Sequence, residues 1–243
     1  MIRVEICIET PQGIEAAHSA GADRLELCAS LDVGGLTPSM GLMHYAAQRP
    51  LPALAMIRPR AGTFIFDADE ASVMRDDIHA ARQAGLAGVV LGALRPDRHL
   101  DHELLLRLSE ACGDMERTLH RAFDLTQDPF AELEFAISAG FTRILTSGQK
   151  PSAPEGADCL ARLQQQARGR IIILAGSGVK ADNVAPLISQ TGVTEVHASC
   201  RKPAISIADD AAFGFGSQPV VTDPDAIRAL IAATRQTERS RPV

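Results

Sequence analysis

The features that this 243-residue sequence lacks argue against several classes of protein. It has no run of eighteen apolar residues, so we expect no helix that crosses a membrane. It has no basic cluster and no interleaving of aromatic with basic residues, and its formal net charge is −6, so nucleic acid is not an expected partner. The N-terminal stretch has neither the apolar run nor the cleavage site of a secretory signal.

Cysteine is sparse in this chain. Five cysteines, an odd number, are scattered widely, which indicates reduced thiols rather than a disulfide framework. Together with the lack of a secretory signal, this pattern predicts a cytoplasmic protein. With 46% hydrophobic residues and no evident linker, the chain is long enough to bury one large core.

Strand-like and helix-like stretches alternate along the chain in eight successive units. Three of the predicted helices end in the same way, at Ala20-Gly21, Ala84-Gly85 and Ala139-Gly140, and the last helix is predicted over Asp223–Arg235. The predicted strands, which are rich in alternating or β-branched apolar residues, are Ile2–Ile8, Leu25–Cys28, Ala53–Arg58, Gly88–Gly92, Arg117–His120, Arg143–Thr146, Ile171–Leu174 and Glu195–Ala198.

Units of this kind have two possible architectures, because right-handed crossovers give either a closed barrel or an open, doubly wound sheet. Eight units in 243 residues fit the (β/α)8 barrel. The flavodoxin-like alternative needs fewer units, and the first strand–helix junction has no G-x-G-x-x-G fingerprint. We therefore predict an α/β fold, a single-domain (β/α)8 TIM barrel over residues 1–235. A polar, flexible C-terminal tail is predicted over residues 236–243.

Two successive strands repeat a Glu-x-Cys pattern on one face. Because side chains alternate along a strand, Glu5 and Cys7 share one side of the first strand, as Glu26 and Cys28 do on the second. An unpaired buried carboxylate is very costly, so carboxylates repeated on the inner face of a buried sheet favour a functional role over packing. The alternative is that Glu5 and Glu26 lie at exposed strand ends.

Polar, titratable residues follow at least five of the predicted strands, and in a barrel these strand ends share one rim. Glu26, Arg58 and His120 are the residue types of an acid/base centre with an anchoring cation, and Asp124 follows closely. These four are the candidate catalytic residues. We expect Glu26 and Arg58 to be paired, because pairing relieves two buried charges. A purely structural ion-pair network is the alternative.

An anion-binding site is predicted on the same rim. The Gly176-Ser177-Gly178 turn before a helix resembles the phosphate cradle that many barrels build after strands seven and eight, although a tight βα junction also requires glycine. A long loop over residues 201–222, with Phe213 and Phe215, is either a lid or a subunit contact. The candidate substrate- or anion-binding residues are Arg60, Arg121, Ser147, Gly176, Ser177, Gly178, His197 and Ser199.

Six short motifs occur in order along most of the chain: Glu26-Leu27-Cys28, Gly34-Gly35-Leu36-Thr37-Pro38-Ser39, Met56-Ile57-Arg58-Pro59-Arg60, His120-Arg121-Ala122-Phe123-Asp124, Leu145-Thr146-Ser147-Gly148 and Glu195-Val196-His197-Ala198-Ser199. Together they resemble the CutC family, the copper homeostasis proteins. The resemblance implies a (β/α)8 barrel, in agreement with the count of units. It also implies copper handling, with Cys7 and Cys28 as the proposed Cu(I) ligands.

Physical chemistry supports two interpretations of these cysteines. Cu(I) is a soft ion that prefers thiolates, and two sulfurs can hold it. Neighbouring strands lie about 4.8 Å apart, so Cys7 and Cys28 could flank one ion if their register matches. The alternative is that both cysteines are small buried hydrophobic residues.

The expected function is that of a cytoplasmic CutC-like protein of copper homeostasis, with Cu(I) as its bound cofactor. The alternative is a TIM-barrel enzyme that acts on a small polar or phosphorylated metabolite through a rim site of Glu26, Arg58 and His120. The expected partners are a copper ion or a small molecule, with no nucleic acid and no membrane. We also expect a homo-oligomer, with a dimer favoured.

Overall fold

Eight parallel strands close into a barrel in the computed structural model, which describes residues 1–204 and 220–239. Each strand pairs with the next in chain order, and the eighth pairs with the first. This closure confirms the predicted (β/α)8 TIM barrel. The barrel strands are β1 (Arg3–Ile8), β2 (Arg24–Leu27), β3 (Ala53–Met56), β4 (Gly88–Leu91), β5 (Glu116–Leu119), β6 (Arg143–Thr146), β7 (Ile172–Ala175) and β8 (Glu195–Ala198).

Helices surround the barrel, one for each strand. Two short 3-10 helices, Leu31–Val33 and Arg121–Leu125, lie in the loops after β2 and β5. No helix within the described ranges combines the length and the apolar character that a membrane crossing requires. The α-helices are α1 (Pro11–Ala20), α2 (Met40–Ala47), α3 (Ala68–Ala84), α4 (His102–Cys112), α5 (Pro129–Ser138), α6 (Ala157–Ala167), α7 (Val184–Thr191) and α8 (Pro224–Arg239).

Alternation along β1 divides its side chains between two environments. Val4, Ile6 and Ile8 are fully buried in the large apolar core between the strands and the helices. Glu5 and Cys7 lie on the other side of the strand, inside the barrel, and are also buried. A smaller apolar cluster inside the barrel consists of Cys28, Leu54, Met56 and Val90.

Local signals set the ends of the helices. The side chain of Thr10 accepts a hydrogen bond from the N–H of Gly13 at the start of α1, and Gly21 ends that helix with a φ of +87°. Asp67 and Glu70 form a reciprocal capping box at the start of α3. These short-range interactions explain why the strand–helix alternation can be read from the sequence.

The C-terminal boundary differs from the prediction. α8 continues to Arg239, so the first four residues of the predicted tail are helical. Thr237 is buried on this last turn, and Glu238 accepts a hydrogen bond from the N–H of Ile2. These contacts hold the end of α8 against the start of β1. Residues 240–243 lie outside the described part of the chain.

Two short strands follow β8, β9 (Arg201–Pro203) and β10 (Val220–Thr222), and they pair as an antiparallel sheet. Residues 205–219, which include Phe213 and Phe215, lie outside the described residues. The lid or subunit contact expected there therefore stays a prediction.

Candidate functional site

A cavity of about 750 Å³ lies at the C-terminal ends of the barrel strands. This is the end of the barrel where the βα loops of such folds build their sites. The cavity has both polar and apolar walls. The predicted site residues that line it are Cys7, Glu26, Arg58, His120, Arg121, Asp124, Ser177, Gly178, His197 and Ser199.

One corner of the cavity brings together three different potential metal ligands. The Sγ of Cys7, a carboxylate oxygen of Glu26 and a ring nitrogen of His197 all lie within 4.8 Å of one another, and all three residues are buried. Barrel register places them there. Cys7 lies opposite Glu26 across β1 and β2, and Glu5 lies opposite His197 across β1 and β8.

His197 lies between two carboxylates. Its Nδ1 is 2.8 Å from Oε1 of Glu5, and its Nε2 is 3.8 Å from Oε2 of Glu26. Burial by itself would lower the pKa of His197, but Glu26, Cys7 and Glu5 outweigh burial and raise it well above the usual range. The imidazole is therefore held in its charged form when no metal is bound.

The pKa values of the two buried glutamates shift in opposite directions. Burial raises the pKa of Glu26, and the nearby charge of Glu5 adds to that effect. Burial would also raise the pKa of Glu5, but Arg24 and His197 overcome it and lower the pKa to about 2. Glu5 is thus a permanent carboxylate beside His197, whereas Glu26 is closer to taking up a proton.

An ion-pair network beneath this corner balances the buried carboxylates. Arg24 donates to Glu5 at 2.5 Å and to Glu195 at 2.6 Å. Nε of Arg143 lies 3.3 Å from Glu195, and its NH1 donates to Glu116 at 2.6 Å. This lower layer is made of residues other than Glu26, Arg58 and His120, for which a structural ion-pair network was the alternative. The other alternative, that Glu5 and Glu26 lie at exposed strand ends, is wrong: they are 1% and 3% exposed.

Cys28 lies beside Glu26, behind the cavity wall. Its thiol donates a weak hydrogen bond to Oε2 of Glu26 at 3.5 Å, and its side chain packs in the small apolar cluster inside the barrel. Burial raises the pKa of the Cys28 thiol well above its usual range, and Glu26 raises it further. The register places Glu26, rather than Cys28, directly opposite Cys7.

The expected pairing of Glu26 with Arg58 is wrong. Arg58 donates through NH1 to the carbonyls of Val33 and Gly35, at 2.8 and 3.1 Å, and through NH2 to that of Gly62 at 2.9 Å. Both residues occupy inward-facing positions, but they lie at different heights along the barrel axis. Glu26 lies opposite Leu54, which is four residues before Arg58. Four strand residues span roughly 13 Å. Arg58 is therefore at the level of the loops.

His120 is buried and only half satisfied by hydrogen bonds. Its Nδ1 accepts a hydrogen bond from the N–H of Ala122 at 3.1 Å, whereas its buried Nε2 has no partner in the described structure. Burial lowers the pKa of His120 to about 3, with a further contribution from Arg58, so the ring is neutral. A Cβ at Gly92 would lie 2.6 Å from this ring, which explains the glycine at the end of β4.

Asp124 and Arg121 are engaged with the loop after β6. Arg121 donates to Asp124 at 2.8 Å and to Oγ of Ser147 at 2.9 Å. Asp124 also accepts from the backbone N–H groups of Ser147 and Gln149, each at 3.1 Å. A carboxylate with this many donors orders the loop, and its expected role in acid/base chemistry stays a prediction. Ser147 itself does not line the cavity.

Arg60 lies away from the cavity. It forms an ion pair with Glu70, and its guanidinium lies over the ring of Phe66. It also donates to the carbonyls of Thr63 and Ile65. The side chain therefore organises the loop between β3 and α3, and the expected anion site does not include it.

The sequence predicts that the Gly176-Ser177-Gly178 turn leads directly into a helix, but the structure shows that it does not. α7 begins only at Val184. In the intervening segment, Asn183 accepts from the N–H of Lys180 and donates to the carbonyl of Gly178, both at 2.9 Å. A Cβ at Gly176 would lie too close to a terminal methyl group of Leu145, so that side chain would have to shift. The helix-terminus geometry behind the expected phosphate cradle is therefore absent at this turn. Ser177, Gly178 and Ser199 still line the cavity.

The sequence prediction includes His197 only as an anion-binding residue and gives no role to Arg24 or Glu195. A signal was available, because Arg24-x-Glu26 on β2 and Glu195-x-His197 on β8 repeat the two-residue spacing of Glu5-x-Cys7 on β1. Three adjacent strands thus carry paired polar residues of one parity.

Comparison with known proteins identifies a matching family and several relatives. The CutC family model matches residues 2–202. A CutC family protein from Rhizobium meliloti is 52% identical over 199 residues, covering 82% of this chain and 81% of the relative. One from Agrobacterium fabrum is 51% identical over 232 residues, covering 93% and 92%.

Solved structures agree with these sequence relatives. The crystal structure of CutC from Streptococcus agalactiae, which is named as a copper homeostasis protein, has a TM-score of 0.78 and 33% identity. It covers 81% of this chain and 98% of that one. Phosphoribosylanthranilate isomerase from Thermotoga maritima has a TM-score of 0.59 at 16% identity, covering 97% and 100%, which shows a shared fold alone.

Proposed function

The chain belongs to the CutC family, and from this premise we propose that it acts in copper homeostasis by binding Cu(I) at the mouth of its barrel. Family membership confirms the resemblance carried by the six motifs. Copper is the cargo that the name of the family member from Streptococcus agalactiae suggests. We place this activity in the cytoplasm, where free thiols stay reduced.

The observation that carries this proposal is the corner formed by Cys7, His197 and Glu26. Thiolate and imidazole are donors that suit Cu(I), and their atoms lie close enough to contact one ion. The hydrogen bond from Nδ1 of His197 to Glu5 leaves Nε2 free to face Cys7 and Glu26. In many metal sites a carboxylate orients the ligand histidine in this way. Cys28 is a second possible thiolate, adjacent to Glu26.

Copper binding at this corner displaces protons. Cys7 must become a thiolate, and His197 must give up the proton that Glu5 and Glu26 favour. Cu(I) binding should therefore release protons and weaken as the pH falls.

Titration of the reduced protein with Cu(I) against a competing chelator tests the proposal. Cys7→Ser and His197→Ala should weaken binding by more than the roughly 10- to 100-fold that loss of an outer-shell partner costs. Cys159→Ser is the matched control, because that partly exposed thiol does not line the cavity. Wild-type affinity in Cys7→Ser would overturn the proposal. X-ray absorption separates a sulfur–nitrogen ligand set from the two-sulfur set of Cys7 and Cys28.

A second candidate function is an enzyme acting on a small polar metabolite. The observation that favours it is the size and composition of the cavity, which has Arg58 and His120 on a wall beyond the metal-binding corner. A metal carrier needs neither the volume nor these two residues. Screening metal-free protein against polar and phosphorylated metabolites by thermal shift tests this candidate. Light scattering in the same buffers tests the proposed dimer.

A further inference from the structure

We propose that Arg58 and His120 form a carboxylate-binding pocket in the wall of the barrel-mouth cavity, and that its ligand is a small organic acid. Both side chains line the cavity, and they are 5% and 3% exposed. Nε of Arg58 and Nε2 of His120 are buried and have no hydrogen-bond partner among the described residues. Buried polar atoms nearly always have partners, so two such nitrogens in the lining of one cavity indicate a ligand.

Both unpartnered atoms are donors. The Nε of an arginine always carries a hydrogen. In His120, Nδ1 accepts a hydrogen bond from the N–H of Ala122, so in the neutral ring the hydrogen is on Nε2. The group that completes this pocket must therefore be an acceptor that can receive two hydrogen bonds.

Charge requires that acceptor to be an anion. The other two buried arginines inside the barrel are matched by carboxylates, Arg24 by Glu5 and Glu195, and Arg143 by Glu195. Within residues 1–204 and 220–239, the guanidinium of Arg58 has backbone carbonyls as its only hydrogen-bond partners and forms no ion pair. A buried cation without a counter-ion is costly, and a bound carboxylate would offset that cost.

The pocket is already ordered for a ligand. Three carbonyls from the loops after β2 and β3 hold the guanidinium of Arg58 in place. The ring of Phe64 packs against both donors, with its centroid 4.8 Å from Cζ of Arg58 and 4.8 Å from the ring centroid of His120. Little conformational freedom remains to be lost when an acid binds.

A carboxylate fits this pocket better than a phosphate does. Two unpartnered donors match the two oxygens of a carboxylate, whereas a phosphate oxygen cluster needs more donors. The other arginines near the mouth are engaged, Arg121 with Asp124 and Arg60 with Glu70. The apolar ring of Phe64 beside the donors also suits the carbon skeleton of an organic acid.

Metal-free protein titrated with acetate, lactate and malonate tests the pocket, with inorganic phosphate as the competing arm. Isothermal titration calorimetry measures affinity, and ¹⁵N-edited NMR follows the Nε2–H signal of His120. We expect saturable binding of at least one of the three acids and a shift of that signal. Because the measurement contains no copper, its outcome is independent of the Cu(I) proposal.

Variants locate the binding. A hydrogen bond to a charged group is worth about 10- to 100-fold in affinity, so Arg58→Lys and His120→Phe should each weaken acid binding by that factor. His120→Gln retains an N–H donor and should bind more tightly than His120→Phe. Arg49→Gln removes a partly exposed cation paired with Glu15, away from the cavity, and should not change the affinity.

Three results would overturn the proposal. The first is the absence of saturable binding by all three acids in the wild type. The second is unchanged acid affinity in Arg58→Lys and His120→Phe. The third is tighter binding of phosphate than of any of the acids. If Arg58→Lys does not fold, as judged by circular dichroism, the comparison of His120→Gln with His120→Phe gives the answer alone.

Discussion

Nδ1 of His197 lies 2.8 Å from a carboxylate oxygen of Glu5, although 192 residues separate the two in the chain. The same carboxylate group accepts from Arg24, which also contacts Glu195. A chain of ion pairs thus connects the corner of Cys7, Glu26 and His197 to the interior of the barrel. The charge and orientation of His197 depend on residues that do not contact the cavity.

Glu5→Gln should change the chemistry of His197 without removing its side chain. The amide is isosteric with the carboxylate but neutral, so it no longer stabilises the imidazolium, and the pKa of His197 should fall. NMR titration of the ring measures this. The proton that competes with Cu(I) is then held less tightly, but loss of a partner that orients a ligand histidine costs about 10- to 100-fold in metal affinity, so Cu(I) affinity should still fall. An unchanged pKa would show that Glu5 does not control the ring.

Arg24→Met should strongly destabilise the fold. It leaves the carboxylates of Glu5 and Glu195 buried without their shared cation, and breaking such a pair costs roughly 3–5 kcal/mol. Urea unfolding measures the loss. In a double-mutant cycle, Glu195→Gln with Arg24→Met should cost less than the sum of the single changes. Strict additivity would mean that the pair is not coupled.

Arg58→Met and Glu26→Gln should show no energetic coupling, in contrast to Arg24→Met and Glu195→Gln. Arg58 bonds to backbone carbonyls and Glu26 lies beside Cys28 and His197, so the two share no direct contact. Their effects on the free energy of unfolding should add to within about 0.5 kcal/mol. A larger coupling would support the ion pair that the sequence predicted and this structure excludes.

His120 should stay neutral at pH values where an ordinary histidine is charged. Its folded pKa of about 3 is below the unfolded value of 6.5, so between these values the unfolded chain binds the extra proton. Stability should therefore fall as the pH falls from 6.5 towards 3, by up to about 1.4 kcal/mol per pH unit from this group.

Urea unfolding at a series of pH values checks this expectation. His120→Gln should remove that part of the slope. His44→Gln, which changes an exposed histidine of α2, is the matched control and should leave the slope intact. If His120→Gln has the wild-type slope, burial does not govern this histidine.

The sequence was sufficient for the barrel because the signals that define it are local. Thr10 and Gly21 limit α1, and alternation along Arg3–Ile8 assigns Val4 to the outer core and Glu5 to the interior. Such signals act over a few residues and repeat eight times, so the number of units could be counted. The inward positions of Glu5 and Glu26 follow from the same two-residue period.

The partners of these inward residues were decided by the tertiary structure. Whether Cys7 meets Glu26 or Cys28 depends on the register between β1 and β2, and whether Glu5 meets His197 depends on closure between β1 and β8. Parity predicts the face of a strand but not the height along it. For that reason the sequence placed Arg58 on the correct side of the barrel and assigned it the wrong partner, since strand stagger and loop conformation set the height at which each charge lies.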